Sequence, residues 1–164
     1  MSSTKTGSKE YPVVAECGNT PDEVAVTLAI YSESLEPDEL TKVMGCEPTK
    51  AYKKGRRRSK KSPPSPTGAW LLKVRGEPPD SPETLTHQLF DKLPKTEGFW
   101  KDLGEQFDLQ LRYGLHSENW NQEFSFSHSL IQRMSSLHVE VVLDIYSYGS
   151  TEGLDRIVLS DDLT

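Results

Sequence analysis

"EVAVTLAIYS", residues 23–32, is the stretch whose reading decides the fold. Val24, Val26, Leu28 and Ile30 alternate along it, the period of a β-strand, whose successive side chains point to opposite faces. The other face carries Ala25, Thr27, Ala29 and Tyr31, which also tolerate burial. The stretch therefore predicts a strand near the centre of a sheet, covered on at least one side.

The same alternation recurs three times further along. "AWLLKVRG" (69–76) sets Trp70, Leu72 and Val74 on one face, and "DLQLRYGL" (108–115) does so with Leu109, Leu111, Tyr113 and Leu115. "HVEVVLDIYS" (138–147) aligns Val139, Val141, Leu143 and Ile145. Helical signals fill the gaps. In "LEPDELTKVMG" (35–45), Pro37 suits the first helical position, Asp38 and Glu39 the positive end, and Gly45 the stop. Leu35 and Leu40 have the spacing of a hydrophobic staple, and Leu40, Val43 and Met44 point inward. Ser81 and Pro82 open a helix over 82–93 with Leu85, Leu89 and Leu93 on one face. A short helix over 97–106 carries Phe99, Trp100 and Leu103, with Phe107 following. Ser127 caps a last helix whose inner set is Leu130, Ile131, Met134 and Leu137.

This order predicts an α+β domain over 21–148. Two βαβ halves, 23–75 and 108–147, form one sheet of ferredoxin-like (split βαβ) type covered by helices, and an inserted helical pair occupies 76–107. Residues 1–20 read as a flexible arm. The tail, 149–164, is acidic, with "RIVL" at 156–159 as a candidate edge strand. The length, 164 residues, suits one domain with a real core.

Charge is distributed unevenly. The net charge is −6, yet "KKGRRRSKK" (53–61) gathers seven cations, Lys53, Lys54, Arg56, Arg57, Arg58, Lys60 and Lys61. The remainder holds 12 Lys and Arg against 25 Asp and Glu, a body of about −13. Such a body repels nucleic acid and membrane surfaces alike. A nucleic-acid grip also wants interleaved aromatic residues or a helix to enter a groove, whereas only Tyr52 flanks this run and "SPPSPTG" ends it. Residues 50–67 are expected to form a mobile loop with no helix or strand across Lys53–Pro66, either solvated or docking onto an acidic protein surface.

No catalytic constellation emerges. The histidines stand at 87, 116, 128 and 138 without helical ligand spacing, and His116 with Glu118 lacks a third ligand. There is no Gly-x-Ser-x-Gly elbow and no phosphate loop. Cys17 and Cys46 form neither a CxxC pair nor a disulfide framework. No metal or cofactor is expected. No apolar run approaches the roughly eighteen residues that span a bilayer, and "MSSTKTGSKEY" has no apolar core behind its lysines, so a cytoplasmic protein is expected. Asp144 and Tyr146 lie on the opposite face of their strand from Val141, Leu143 and Ile145. With Tyr31, Trp70 and Trp120 they are the candidate lining of a pocket or partner face.

Four stretches in order, "LEPDELTKVMGCEPTKAYKKG", "GAWLL", "LTHQLFDKL" and "FSFSHSLIQRMSSLHVEVVLDIY", carry a family likeness. Across roughly residues 24–148 the chain resembles the bacterial domain of unknown function 4279 family, through Leu35, Pro37, Leu40, Gly45, Pro48, Thr49, Lys54, Gly55, Gly68, Trp70, Phe126, Ser127, Leu130, Leu137, Asp144 and Tyr146. The resemblance implies a small bacterial cytosolic α+β domain and brings no activity with it. The segment between Gly55 and Gly68 is longer and more basic than that pattern, so no role for it is inherited.

The expectation is a non-enzymatic protein-interaction module; an immunity-type protein, which occupies another protein, is one form this takes. The alternative is a sensor or enzyme that holds a small polar ligand near Tyr31, Trp70, Asp144 and Tyr146. Nucleic-acid binding through 53–61 ranks behind both.

Overall fold

The computed structural model describes residues 21–96, 98–118 and 122–148. The expected N-terminal arm, Trp120 and the tail with its 156–159 strand lie outside these residues.

Nine elements follow one another: β1 (Glu23–Ser32), α1 (Pro37–Met44), β2 (Lys50–Tyr52), β3 (Gly68–Gly76), α2 (Pro82–Phe90), α3 (Phe99–Gln106), β4 (Asp108–Ser117), α4 (His128–Ser136) and β5 (Glu140–Ser147). The strands form one mixed sheet in the order β2-β3-β1-β4-β5. β1 is central as expected, antiparallel to β3 (Val24 opposite Gly76, Ser32 opposite Gly68) and to β4 (Glu23 opposite His116, Tyr31 opposite Asp108). β4 and β5 run parallel, Gln110 opposite Glu140 and Ser117 opposite Ser147.

The two halves are built differently. Residues 108–147 make a βαβ unit with adjacent parallel strands. In the first half, β3 lies antiparallel beside β1, and the strand parallel to β1 is β2, held on the far side of β3. β2 falls inside the stretch expected to be loop. Three residues, Lys-Ala-Tyr, are too few to show a period in sequence; pairing of Lys50 with Leu71 and Tyr52 with Ala69 makes them a strand.

All four helices contribute to a single core on one sheet face. Val24, Val26, Leu28 and Ile30 are fully buried there with Trp70, Leu72, Leu109, Leu111, Tyr113 and Leu115. Burying each such aliphatic side chain contributes about 1.5–3 kcal/mol. Leu40 and Met44, Leu85 and Leu89, Trp100 and Leu103, and Leu130 and Met134 close the core from the helix side. The even-numbered apolar set of β1 thus does what its period required.

Five of the described aliphatic residues stay exposed, Val43 and Ile131 against the expectation that they point inward. Val43 and Ile131 lie on the solvent flanks of short helices, 57% and 52% exposed. Val141, Leu143 and Ile145 do share the core's side of the sheet, opposite Leu111, Tyr113 and Leu115. Among the described residues, however, β5 is an edge strand with β4 as its only strand neighbour, and these side chains stay 44–56% exposed.

Helix ends follow local chemistry. Leu35 and Leu40 are both buried around Pro37 at the start of α1, and Gly45 closes that helix at φ 68°, its N–H donating to the Thr41 carbonyl at 3.0 Å. Ser81 Oγ accepts from the Thr84 N–H at 3.1 Å, and Ser127 Oγ from the Leu130 N–H at 3.3 Å. The Ser127 N–H in turn donates to Glu83 Oε2 at 2.7 Å, tying α4 to α2 and holding the Glu83 carboxyl below its usual range. Ser127→Ala is expected to cost about 1 kcal/mol of unfolding free energy in urea titrations; no change would show that Glu83 alone suffices as the cap.

Candidate functional site

The strand face away from the helices carries the odd-numbered residues of β1 with their register partners. In successive rows across the sheet these are Leu71–Ala29–Gln110, Lys73–Thr27–Arg112 and Arg75–Ala25–Gly114. β5 extends the last two rows with Val142 and Asp144, and sets Tyr146 beside His116. Small residues in β1 leave a floor, and longer side chains rise around it. The result is a concavity of about 290 Å³ whose lining includes Tyr31, Lys73, Arg75, Arg112, Asp144 and Tyr146.

Three of the five aromatic or acidic residues singled out in sequence, Tyr31, Asp144 and Tyr146, meet here. Trp70 does not. It is fully buried on the helix side, where its indole Nε1–H donates to Thr41 Oγ1 at 3.0 Å. Its alternation with Leu72 and Val74 already placed it on the apolar face, so its role is packing. Trp120 lies outside the described residues.

The acids and aromatics of this face are mutually engaged. The Tyr146 hydroxyl donates to Asp144 Oδ2 at 2.6 Å, and that bond raises the phenol above its ordinary range. The His116 ring stacks on Tyr146 with centroids 4.6 Å apart and planes 6° from parallel. Burial raises the Tyr31 phenol, and the nearby Arg112 charge partly opposes the shift. Glu23 is paired with Arg75 at 3.7 Å.

The cations Lys73 and Arg112 are different. Among the described residues neither has a carboxylate partner within ion-pair distance. Arg112 donates from Nη1 to the neutral Gln110 Oε1 at 2.9 Å, and Gln110 Nε2 donates to Glu140 Oε2 at 3.1 Å. The side chain is thus oriented while its charge is left uncompensated. Sequence reasoning missed Lys73, Arg75 and Arg112, and weighed His116 only as a metal ligand beside Glu118, not as a member of this strand face. Their signal was available as the polar half of the alternation in "LLKVRG" and "LRYGLHS", which had been read only for its apolar half.

The basic loop joins this surface at the β2 edge. Lys50 and Tyr52 are on the same side of the sheet as Ala69 and Leu71, and the Arg56 guanidinium lies over the Tyr52 ring at 5.1 Å. As expected, no helix or strand spans Lys53–Pro66; the loop is drawn together by an isolated bridge between Arg57 and Pro64. Gly55 N–H to Ser65 O (2.9 Å), Ser65 N–H to Arg56 O (2.8 Å) and Arg57 Nη1 to Ser62 O (2.9 Å) cross it. At its base Lys53 pairs with Glu36 and Lys54 with Glu33. Among the described residues Arg56, Arg57, Arg58, Lys60 and Lys61 have no ion pair.

Two larger hollows offer less chemistry. The one of about 550 Å³ beside Trp100 contains Arg133, already paired with Asp91 at 3.7 Å and laid over Phe90. The other, about 630 Å³ between α1 and α3, is apolar, with Glu36, Glu39 and Asp102 around it. Burial pushes the Cys46 thiol up, away from the reactive thiolate form.

A family model described as a domain of unknown function (DUF4279) matches residues 22–148. No curated protein and no solved structure matches the chain.

Proposed function

Because the chain belongs to the domain of unknown function 4279 family, whose name carries no activity, we propose from the site alone that it is a non-enzymatic docking module. Its open sheet face and basic loop together take an acidic surface of another protein. The observation that carries this reading is the Arg56–Tyr52 stack, which joins the loop to a sheet face bearing Lys73 and Arg112, cations without a carboxylate partner among the described residues. Cation patches on a body of opposite charge steer acidic partners and lose that effect as salt rises. The order β2-β3-β1-β4, with β3 between the parallel pair β1 and β2, supports a ferredoxin-like arrangement to which β5 is appended. In that arrangement the face away from the four described helices is the contact surface.

The test uses the full chain as bait against native lysate, beside a variant in which 56–61 becomes a neutral Gly-Ser linker of equal length. The variant should keep its stability within about 0.5 kcal/mol, since exposed substitutions rarely cost more. Retained acidic protein should be weaker on the variant and released between about 0.1 and 1 M salt, where the Debye length falls from about 10 to about 3 Å. No partner at all, or retention indifferent to both the loop and salt, would overturn the proposal. A variant that fails to fold would show instead that the loop belongs to the core structure.

A further inference from the structure

The row Lys73–Thr27–Arg112 crosses three adjacent strands at the middle of the open face. Strand spacing of about 5 Å puts the two cationic stems about 10 Å apart, with the Thr27 hydroxyl between them. That span lets two long side chains converge on one group above Thr27. Thr27 is 8% exposed, and among the described residues no hydrogen bond engages its hydroxyl. Arg112 is held in place by the Gln110–Glu140 chain, so its free guanidinium nitrogens are positioned before any ligand arrives. A guanidinium fork presents two parallel N–H donors to an oxyanion.

We propose that this row binds a phosphate monoester, carried on a phosphorylated serine or threonine of the docked partner. Two uncompensated cations call for a dianion. A single carboxylate neutralises one of them, whereas a phosphorylated side chain brings about −1.5 to −2 charges and three acceptor oxygens at neutral pH. The nearest acids do not fill the role themselves. Glu140 and Asp144 lie one row to either side of Arg112, the first accepting from Gln110 Nε2 and the second from the Tyr146 hydroxyl, and Glu23 is paired with Arg75. The proposal rests on the docking reading for its surface and names what that surface holds.

Two peptides of equal net charge test it by fluorescence anisotropy on the full chain, one with a single phosphoserine and the other with glutamates in compensation. The phosphopeptide should bind at least about tenfold more tightly, the difference expected for charge-assisted hydrogen bonds. Arg112→Gln and Lys73→Met should each abolish that preference, and Thr27→Val should reduce it. Arg112→Lys, which keeps the charge and loses the fork, should fall between, and melting curves confirm that each variant is folded. Equal binding of both peptides, weakened by salt, overturns the phosphate site and leaves the docking reading standing. Binding of O-phosphoserine without either peptide overturns the protein-borne source. A phosphopeptide preference alongside a bait that captures no acidic protein overturns the docking reading and keeps the site.

Discussion

Trp70→Ala is expected to lower the unfolding free energy by about 3–5 kcal/mol, the cost of emptying a fully buried aromatic site. Small domains have about 5–15 kcal/mol in all, so the variant keeps little reserve and its urea midpoint should move sharply. The reason lies in where Trp70 stands. It is opposite Ile30 on the central strand, on the core face, and its indole holds Thr41 of α1 against the sheet. The truncation removes the aromatic volume and frees the hydroxyl it had engaged. Trp70→Phe separates the two effects, since it retains most of the apolar contact and loses the 3.0 Å bond, at about 1 kcal/mol. An alanine variant within about 1 kcal/mol of the parent would mean that this tryptophan is peripheral to the fold.

The second large effect is alkaline destabilisation through Tyr113. Burial pushes its phenol up to about 12, against an ordinary value of 10.0. Its hydroxyl meets Thr86 Oγ1 at 2.8 Å; because that threonine donates its own hydrogen to the Pro82 carbonyl, Tyr113 is the donor. The sign follows from the raised value. Below pH 10 the phenol is neutral in both states, and its contribution to stability is fully present. As pH rises from 10 to about 12 the unfolded chain loses the proton first, so stability falls through that window and levels above it. The total is about 2–3 kcal/mol. Urea unfolding at pH 8, 10 and 11.5 should show the fall in the parent and a shallower one in Tyr113→Phe. Tyr31 and Tyr146 are raised as well, so the difference between the two curves isolates Tyr113. Parallel curves would assign the fall to the other tyrosines.

Periodicity made the central strand, the order of the helices and their capping residues legible. Val24 to Ile30, Pro37, Ser81 and Ser127 act locally, and local chemistry is what sequence displays. Two kinds of information were not local. The position of β2 depends on pairing with β3, and a three-residue strand has no pattern of its own. The exposure of Val141, Leu143 and Ile145 depends on β5 being last among the described strands of the sheet, which its composition does not reveal. At the site, Tyr31, Asp144 and Tyr146 were found as conspicuous residues, while Lys73 and Arg112 were passed over as ordinary solvent-facing charges. Their meaning arises from Thr27, which holds both in one row by pairing with each. Trp70 was misassigned because its size drew more weight than the side of the strand on which it falls.

The place of β1 in the middle of the sheet has a consequence for the order of events on the ribosome. Glu23 must find His116, and Val24 must find Gly76, so β1 is flanked by strands that emerge much later than it does. At about 5–20 residues per second, β4 follows β1 by roughly 5–20 s. Throughout that interval one long side of the most apolar strand has no neighbour from its own chain. Distant partners slow folding because the intervening chain must be closed before any pairing is gained. The nascent chain therefore cannot complete its sheet from the N-terminus onward, and must wait for residues 108–117 before its central strand is paired along both edges.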